Sequence, residues 1–421
     1  MYKKVEECRI CGNRDLRLVL DLGEQVLTGV FPCSRSETTT SGPLQLVKCF
    51  GNELDVCGLL QLGHSYEANE LYGDNYGYRS GLNQSMVAHL NNKVKKIVNQ
   101  IEISQGSLII DIGSNDGTTL RAYGETGATL VGIDPTVAKF EIYYPANVRL
   151  ISDFFSVTKF QEIFGSRKAM IVTSFSMFYD LDDPLNFMRG IFDILDDKGI
   201  WVFEQSYMPK MLEMNSYDTV CHEHLEYYSL KQIKWMTDRA GFVIVDVEFN
   251  ETNGGSFSVT VKKKASLCRE SPTVSKIIKN EQRLGLDTLN LYNDFALRVA
   301  ESRTALRSWI DSVNGNKKSV IGLGASTKGN VLLQYCGLME EDITCIGEIN
   351  EEKVGRFTPG SFIPIISETE AIDKNPDYLL ILPWHFRKEF LKNPKFAGST
   401  LAFPLPTLRI EKSPGLKTPK Q

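Results

Sequence analysis

The sequence predicts an α/β chain built on open, mainly parallel sheets, with a small cysteine-bearing unit ahead of them. Three observations predict it. From Ser107 to Thr136 a buried-strand pattern, a glycine-containing turn, a helix and a second strand follow in order. The same order returns between Lys318 and Glu348. Strand–turn–helix–strand units of this kind build parallel sheets, because the crossover helix returns the chain to the same end. Third, two cysteine pairs, Cys8/Cys11 and Cys49/Cys57, fall within the first sixty residues.

The first cysteines form a C-x2-C with Gly12 for the tight turn, and the second pair brackets Phe50–Val56. Four thiolates make a tetrahedral structural zinc site, with Cys33 and His64 as possible substitutes. So short a segment has little core of its own, which favours a metal. Nine cysteines, an odd number, point to thiols and metal ligands rather than disulfides. The tyrosine-rich stretch from Tyr66 to Leu90 offers Tyr72, Tyr76 and Tyr78 as hydroxyl donors to a pocket, and Met86–Val98 has helical spacing.

Leu108–Asp111 is a short apolar run of the buried parallel kind. It ends in Asp-Ile-Gly-Ser-Asn-Asp-Gly, where Gly113 and Gly117 permit close backbone approach and Asn115 tolerates a left-handed backbone. The next strand, Thr129–Ile133, delivers Asp134 at its carboxyl end, where ligands of open α/β sheets bind and a carboxylate can take two ribose hydroxyls. The turn is not G-x-G-x-x-G, which argues against a nicotinamide cofactor. An acidic residue before the first glycine and another after the second strand instead resemble class I S-adenosylmethionine (SAM) methyltransferases. That resemblance implies Asp111 at the methionine amino group and Asp134 at the ribose. A third strand is expected to end at Asp153, within reach of the adenine amino group beside Phe154. A fourth, Ala169–Ser174, runs into a loop bearing Asp180, Asp182 and Asp183. The helix after Pro184 is expected to stop at Lys198-Gly199, and the fifth strand carries Glu204.

Tyr217–Leu230 is the most chemically loaded loop, holding His222, Glu223, His224, Tyr227 and Tyr228. An imidazole beside a carboxylate has the composition of a general base. The His-x-His spacing also suits a metal, although the further ligands are not nearby. Thr252–Ser256 then precedes an alternating strand expected at the antiparallel edge of the sheet. After Ser266, apolar residues at helical spacing from Phe295 to Val313 predict a long helix between two domains. In the second glycine-rich turn, Lys328 suggests an anion such as a nucleotide phosphate.

With 47 basic against 52 acidic residues the net charge is −5, which offers no general attraction to nucleic acid. No apolar run approaches the ~18 residues of a membrane span, and the first residues show no signal-peptide pattern. A cytoplasmic protein without membrane or nucleic-acid partners is expected.

Taken together, CRICG, CGLLQL, the Tyr76 region, DIGSNDG, HEHLEYYS, NGGS, GASTKGN, GRFTPGSFIPI and LPWHF resemble the three-domain nucleotide-sugar C-methyltransferases. The resemblance implies a zinc-binding domain over 1–64, a SAM-dependent methyltransferase domain over 65–265, and a Rossmann-like domain over 266–421 that helps enclose the sugar nucleotide. It implies His224 as the base, supported by Glu223 and Tyr76, with Tyr78, His222, Tyr227, Lys328 and Asn330 toward the substrate. Gly113, Asn115, Gly117, Asp153 and Phe154 join the two carboxylates at SAM. A monomer that methylates a ring carbon next to the ketone of a nucleotide-linked deoxysugar is expected. An O-methyltransferase on a glycan precursor and a non-catalytic sugar-nucleotide-binding protein are the alternatives. Two departures from the family pattern, Cys221 for a tyrosine and Asp180 for a histidine, bear on which sugar and position are used.

Overall fold

Leu108–Ile112 is buried along its whole length, and parallel strands flank it on both sides, Thr129–Ile133 and Ala169–Phe175. It is the third strand from one edge of a seven-stranded sheet in the computed structural model, which describes residues 2–51, 53, 55–72, 77–124, 126–264 and 268–415. From edge to edge the order is Phe242–Asn250, Ser256–Lys263, Leu195–Ser206, Ala169–Phe175, Leu108–Ile112, Thr129–Ile133 and Val148–Ile151. Five strands run parallel, so the loops at their carboxyl ends gather on one side of the sheet.

Three details differ from the sequence-based expectation. Ser256–Lys263 is antiparallel but lies inside the sheet; the edge is Phe242–Asn250. The helix after Pro184, capped by Asp183, stops at Ile194, and Leu195 already pairs with Ala169. Gly199 is no helix cap: a Cβ there would come within 2.9 Å of the Ala169 and Met170 carbonyls, so its size permits the strands to approach. The third strand ends at Ile151, two residues short of Asp153.

The N-terminal sheet contains Leu16–Val26, Ser41–Cys49 and Leu60–Leu62, and its fourth strand is Glu226–Tyr227. The expected boundary after residue 64 is therefore crossed by backbone pairing. A six-stranded C-terminal sheet runs Ile365–Ser367, Ile346–Glu348, Val320–Leu323, Tyr378–Ile381, Thr400–Phe403 and Arg409–Lys412, parallel except for the last strand.

The helix Asn290–Gly315 buries Tyr292, Phe295, Val299, Leu306, Ile310 and Val313, as its spacing predicts. Rather than merely separating domains, that face shares one apolar core with Leu20, Leu44 and Leu46 of the N-terminal sheet and with the C-terminal sheet. Gln334 fastens the same junction, accepting from Val26 N at 2.8 Å and donating to Val26 O at 3.1 Å. A second core joins Cys8, Cys49, Cys57 and Leu59 to Phe178, Trp201 and Phe203 under the seven-stranded sheet.

Candidate active site

The DIGSNDG turn is left-handed at Gly113 (φ 74°), Asn115 (φ 50°) and Gly117 (φ 72°). At Gly113 a Cβ would approach Met177 to 2.8 Å, so the glycine keeps a cradle open there. Asp111, at the end of the central strand, accepts from Thr173 Oγ1 at 2.5 Å. Burial pushes its carboxyl up to about 7, and Asp134 adds to the push. Asp134 accepts from Asn115 N at 2.9 Å through Oδ2, and from Thr136 N (2.7 Å) and Oγ1 (2.5 Å) through Oδ1. Three of a carboxylate's roughly four acceptor positions are thus filled, leaving room for one ribose hydroxyl unless Thr136 turns away. A carboxyl raised by burial beside a glycine cradle suits the ammonium of an amino acid, and the residues present fit SAM.

Asn115 and Asp116 also do something the sequence does not reveal. Asn115 Oδ1 accepts from Ser80 N at 3.0 Å, and its Nδ2 donates to Tyr78 O at 3.0 Å. Asp116 Oδ2 accepts from Gly81 N at 2.9 Å. The turn thereby clamps 78–81 over itself, and Asn350 Nδ2 reaches Gly77 O at 3.1 Å from the C-terminal sheet. Tyr78 is partly exposed as a residue, although burial raises its hydroxyl, and Tyr76 lies outside the described residues. Asp153 accepts from Phe154 N at 2.7 Å and is ion-paired with Lys159; Phe154 is exposed beside it. Glu204 is spent on His89 (2.5 Å), Lys93 (3.2 Å) and Asn250 (2.9 Å).

The two loop histidines part company. His222 is fully buried, with Nδ1 at 3.3 Å from Thr28 Oγ1 and its ring edge-on to Tyr66. Burial pulls it down to about 3. His224 is only half-buried. Its Nδ1 lies 2.9 Å from Thr219 O; only an N–H can serve a carbonyl, so the neutral ring carries its proton on Nδ1 and a lone pair on Nε2. Burial, with the Lys328 ammonium nearby, pulls the imidazole down to about 4. Tyr179 stands edge-on to it at 4.5 Å, and Tyr227 hydroxyl shares Thr219 O at 3.3 Å. These residues line one cavity with Ser206 and Met208.

Glu223 is buried with Oε2 unpartnered, and burial raises its carboxyl. A Cβ on Gly29, in the turn after Leu16–Val26, would fall 2.1 Å from its Oε1, so the Glu223 carboxyl packs directly against that turn. Burial and Glu223 together push Asp180 well above the carboxylate range.

Four motifs distant in sequence meet around Lys328. Its Nζ donates to Asn253 O at 3.3 Å, and its charge depresses both His224 and His385, the latter to about 3 mainly through burial. Asp218, a neighbour of Lys328, accepts from Trp384 Nε1 at 2.8 Å. Asn330 is turned to another task, donating to Thr28 O at 2.7 Å in full burial. Sequence reasoning misses Tyr179, Asp218 and His385; the aromatic loop beside Asp180 and the histidine in LPWHF are the signals that could have found them.

At the N-terminal sheet the sulfurs of Cys8, Cys11, Cys49 and Cys57 lie within 4.8 Å of one another. Cys8–Cys57 is 3.4 Å and Cys11–Cys49 3.6 Å. A tetrahedral zinc with ~2.3 Å bonds sets its sulfurs ~3.8 Å apart, so these thiolates fit it. Cys33 is exposed and His64 stands in a strand against Tyr2; neither belongs to the cluster.

Three family models match the chain in order: a zinc-binding domain over residues 8–72, a methyltransferase domain over 86–247, and a C-methyltransferase C-terminal domain over 251–406. The C-methyltransferase NovU of Streptomyces niveus is 30% identical over 420 residues, spanning 97% of this chain and 98% of that protein. Among solved structures, a methyltransferase in complex with the Haloferax volcanii activator Trm112 is 15% identical, covering 44% of this chain and 94% of its own, with a TM-score of 0.37. LepI in complex with SAM is 11% identical, covering 44% of this chain and 53% of its own, with a TM-score of 0.33.

Proposed function

Because the chain belongs to the C-methyltransferase family, as a SAM-dependent enzyme with a zinc-binding N-terminal part, we propose that it methylates a ring carbon next to the ketone of a nucleotide-linked ketodeoxysugar. The observation that carries this reading is the fixed tautomer of His224. Thr219 O holds Nδ1–H at 2.9 Å, and no described residue bonds Nε2, which is left as a base.

In the reaction, Nε2 of His224 takes the proton from the carbon beside the ketone, and the electron pair left behind is delocalised onto the keto oxygen. Bound SAM supplies an electrophilic methyl group, so a C–H bond is exchanged for a C–C bond. Lys328 provides a cation for negative charge on the substrate, favourable in a water-poor site. Glu223, raised by burial, supports the base from the adjoining position. Asp111, Asp134 and the Gly113–Gly117 turn hold the cofactor, and lining up carbon and methyl lowers the barrier mainly by orientation.

Residues 1–64, 65–265 and 266–421 serve as metal-binding, cofactor-binding and sugar-nucleotide-binding units, working as a monomer in the cytoplasm. Among the described residues no helix is long and apolar enough to cross a membrane. Transfer of label from methyl-labelled SAM to one member of a panel of nucleotide-linked ketosugars tests the reading; no transfer to any of them counts against it.

A further inference from the structure

Between the zinc cysteines Cys8 and Cys11 stands Arg9, and its side chain is 4% exposed. The guanidinium grips the strand region after Cys57, donating to Leu62 O at 2.8 Å, His64 O at 3.3 Å and Ser65 Oγ at 2.8 Å. Its Nε has no acceptor among the described residues. Facing it at 3.8 Å is Oε1 of Glu226, a side chain with no exposure and no hydrogen bond on either oxygen. Burial pushes the Glu226 carboxyl well up, and Arg9 is the charge that opposes this. The unpartnered Arg9 Nε–H and the unpartnered Glu226 carboxyl therefore face each other, and closing the gap to an ordinary ~2.9 Å would pair Nε with Oε1.

Glu226 follows His224 by two residues and pairs with Gln61, whose side chain in turn accepts from Arg9 N at 3.0 Å. Arg9 Nε also lies 3.8 Å from Asp182, in the loop beyond Tyr179, and Asp182 accepts from Ser65 Oγ at 2.8 Å. The other metal knuckle holds the far end of the same stretch. Gln232 donates to Cys57 O at 2.9 Å while its Oε1 accepts from Ser229 N at 3.0 Å.

We propose that Arg9 is a positioning residue for methyl transfer: carried on the zinc knuckle, its guanidinium faces buried Glu226 and holds the His224 loop and the Asp182 loop at one spacing. The metal centre then has a second task besides stabilising its own small sheet. It is the fixed point from which the catalytic loop is hung. The inference rests on His224 being the base.

The zinc-loaded full chain tests this with Arg9→Met, Arg9→Lys, Glu226→Gln and the double variant Arg9→Met/Glu226→Gln. Arg9→Met should lower kcat roughly 10- to 100-fold, the range expected when a reacting group is displaced by about 1 Å. It should keep one zinc per chain and bind SAM as the parent does. Arg9→Lys should recover part of the loss. The double variant should turn over at least about fivefold faster than Arg9→Met, because the amide does not need the facing cation that the first change takes from the buried carboxyl. Parental turnover in Arg9→Met, zinc loss in step with activity, or a double variant no better than Arg9→Met would overturn the proposal. If Arg9→Met does not fold, Arg9→Lys and the double variant decide it, and failure of both to regain turnover overturns it. Should His224→Ala retain turnover while the Arg9–Glu226 coupling persists, the base assignment fails and the coupling stands.

Discussion

The carbonyl oxygen of Thr219 lies 2.9 Å from Nδ1 of His224, and this one contact decides which ring nitrogen can accept a proton. Replacing the imidazole should therefore remove chemistry and leave binding. For His224→Ala, kcat should fall ~10²–10⁴-fold with SAM affinity unchanged by calorimetry. His222→Ala should be milder in catalysis and costlier in thermal stability, since that ring packs against Thr28 and Tyr66.

An imidazole pulled down to about 4 by burial and Lys328 stays neutral, and able to accept a proton, well below pH 7. Lowering the pH from 7 to 5 should leave the His224-dependent part of kcat within about twofold. A base at the ordinary ~6.5 would lose roughly 25-fold over the same interval. Rates under saturating substrates, taken before any loss of zinc, distinguish the two.

Asp111 predicts a pH effect on binding instead. Its carboxyl is pushed up to about 7, and if it pairs with the cofactor's ammonium it must do so in the ionised form. SAM affinity should fall as the pH drops below 7, approaching tenfold per unit, because a proton must leave before the ligand binds. Asp111→Asn should bind weakly and lose this dependence; comparing the two at each pH cancels the ligand's own titration. Equal pH profiles would contradict the assignment.

For Asp134→Ala, SAM should bind roughly 10-fold more weakly or worse. The carboxylate also ties Asn115 N and Thr136, so faster amide exchange at those residues should accompany the loss. An unchanged dissociation constant would exclude Asp134 from the cofactor site.

What is legible in the sequence is local. The left-handed backbone of Asn115 follows from the DIGSNDG turn, the long helix from its apolar spacing, and the thiolate cluster from two cysteine pairs. What is not legible needs partners far along the chain. Nothing near Glu226 announces that it pairs with Gln61, and nothing in CRICG says that Arg9 faces a buried carboxyl at 3.8 Å. His222 and His224 look alike two residues apart, yet the first is locked behind Thr28 and the second opens to a cavity. Gly199 reads as a helix stop because such a stop is common; its true constraint is a neighbouring carbonyl at 2.9 Å from a would-be Cβ.

The metal site makes a stoichiometric prediction. Freshly purified protein should carry about one zinc per chain, and Cys8→Ser should lower that content. The same change should loosen the N-terminal sheet and leave the SAM turn intact, as near-native SAM affinity would register. Zinc-free native protein would refute the site.

Carbon methylation itself is decided by the structure of the methylated sugar. If His224 takes a proton from carbon, as proposed, the product's proton NMR spectrum should lack one ring C–H signal relative to the substrate and show a new methyl group bonded to that carbon. A product that keeps every ring C–H signal, with its methyl group on oxygen, would contradict both carbon methylation and the role of His224 as its base.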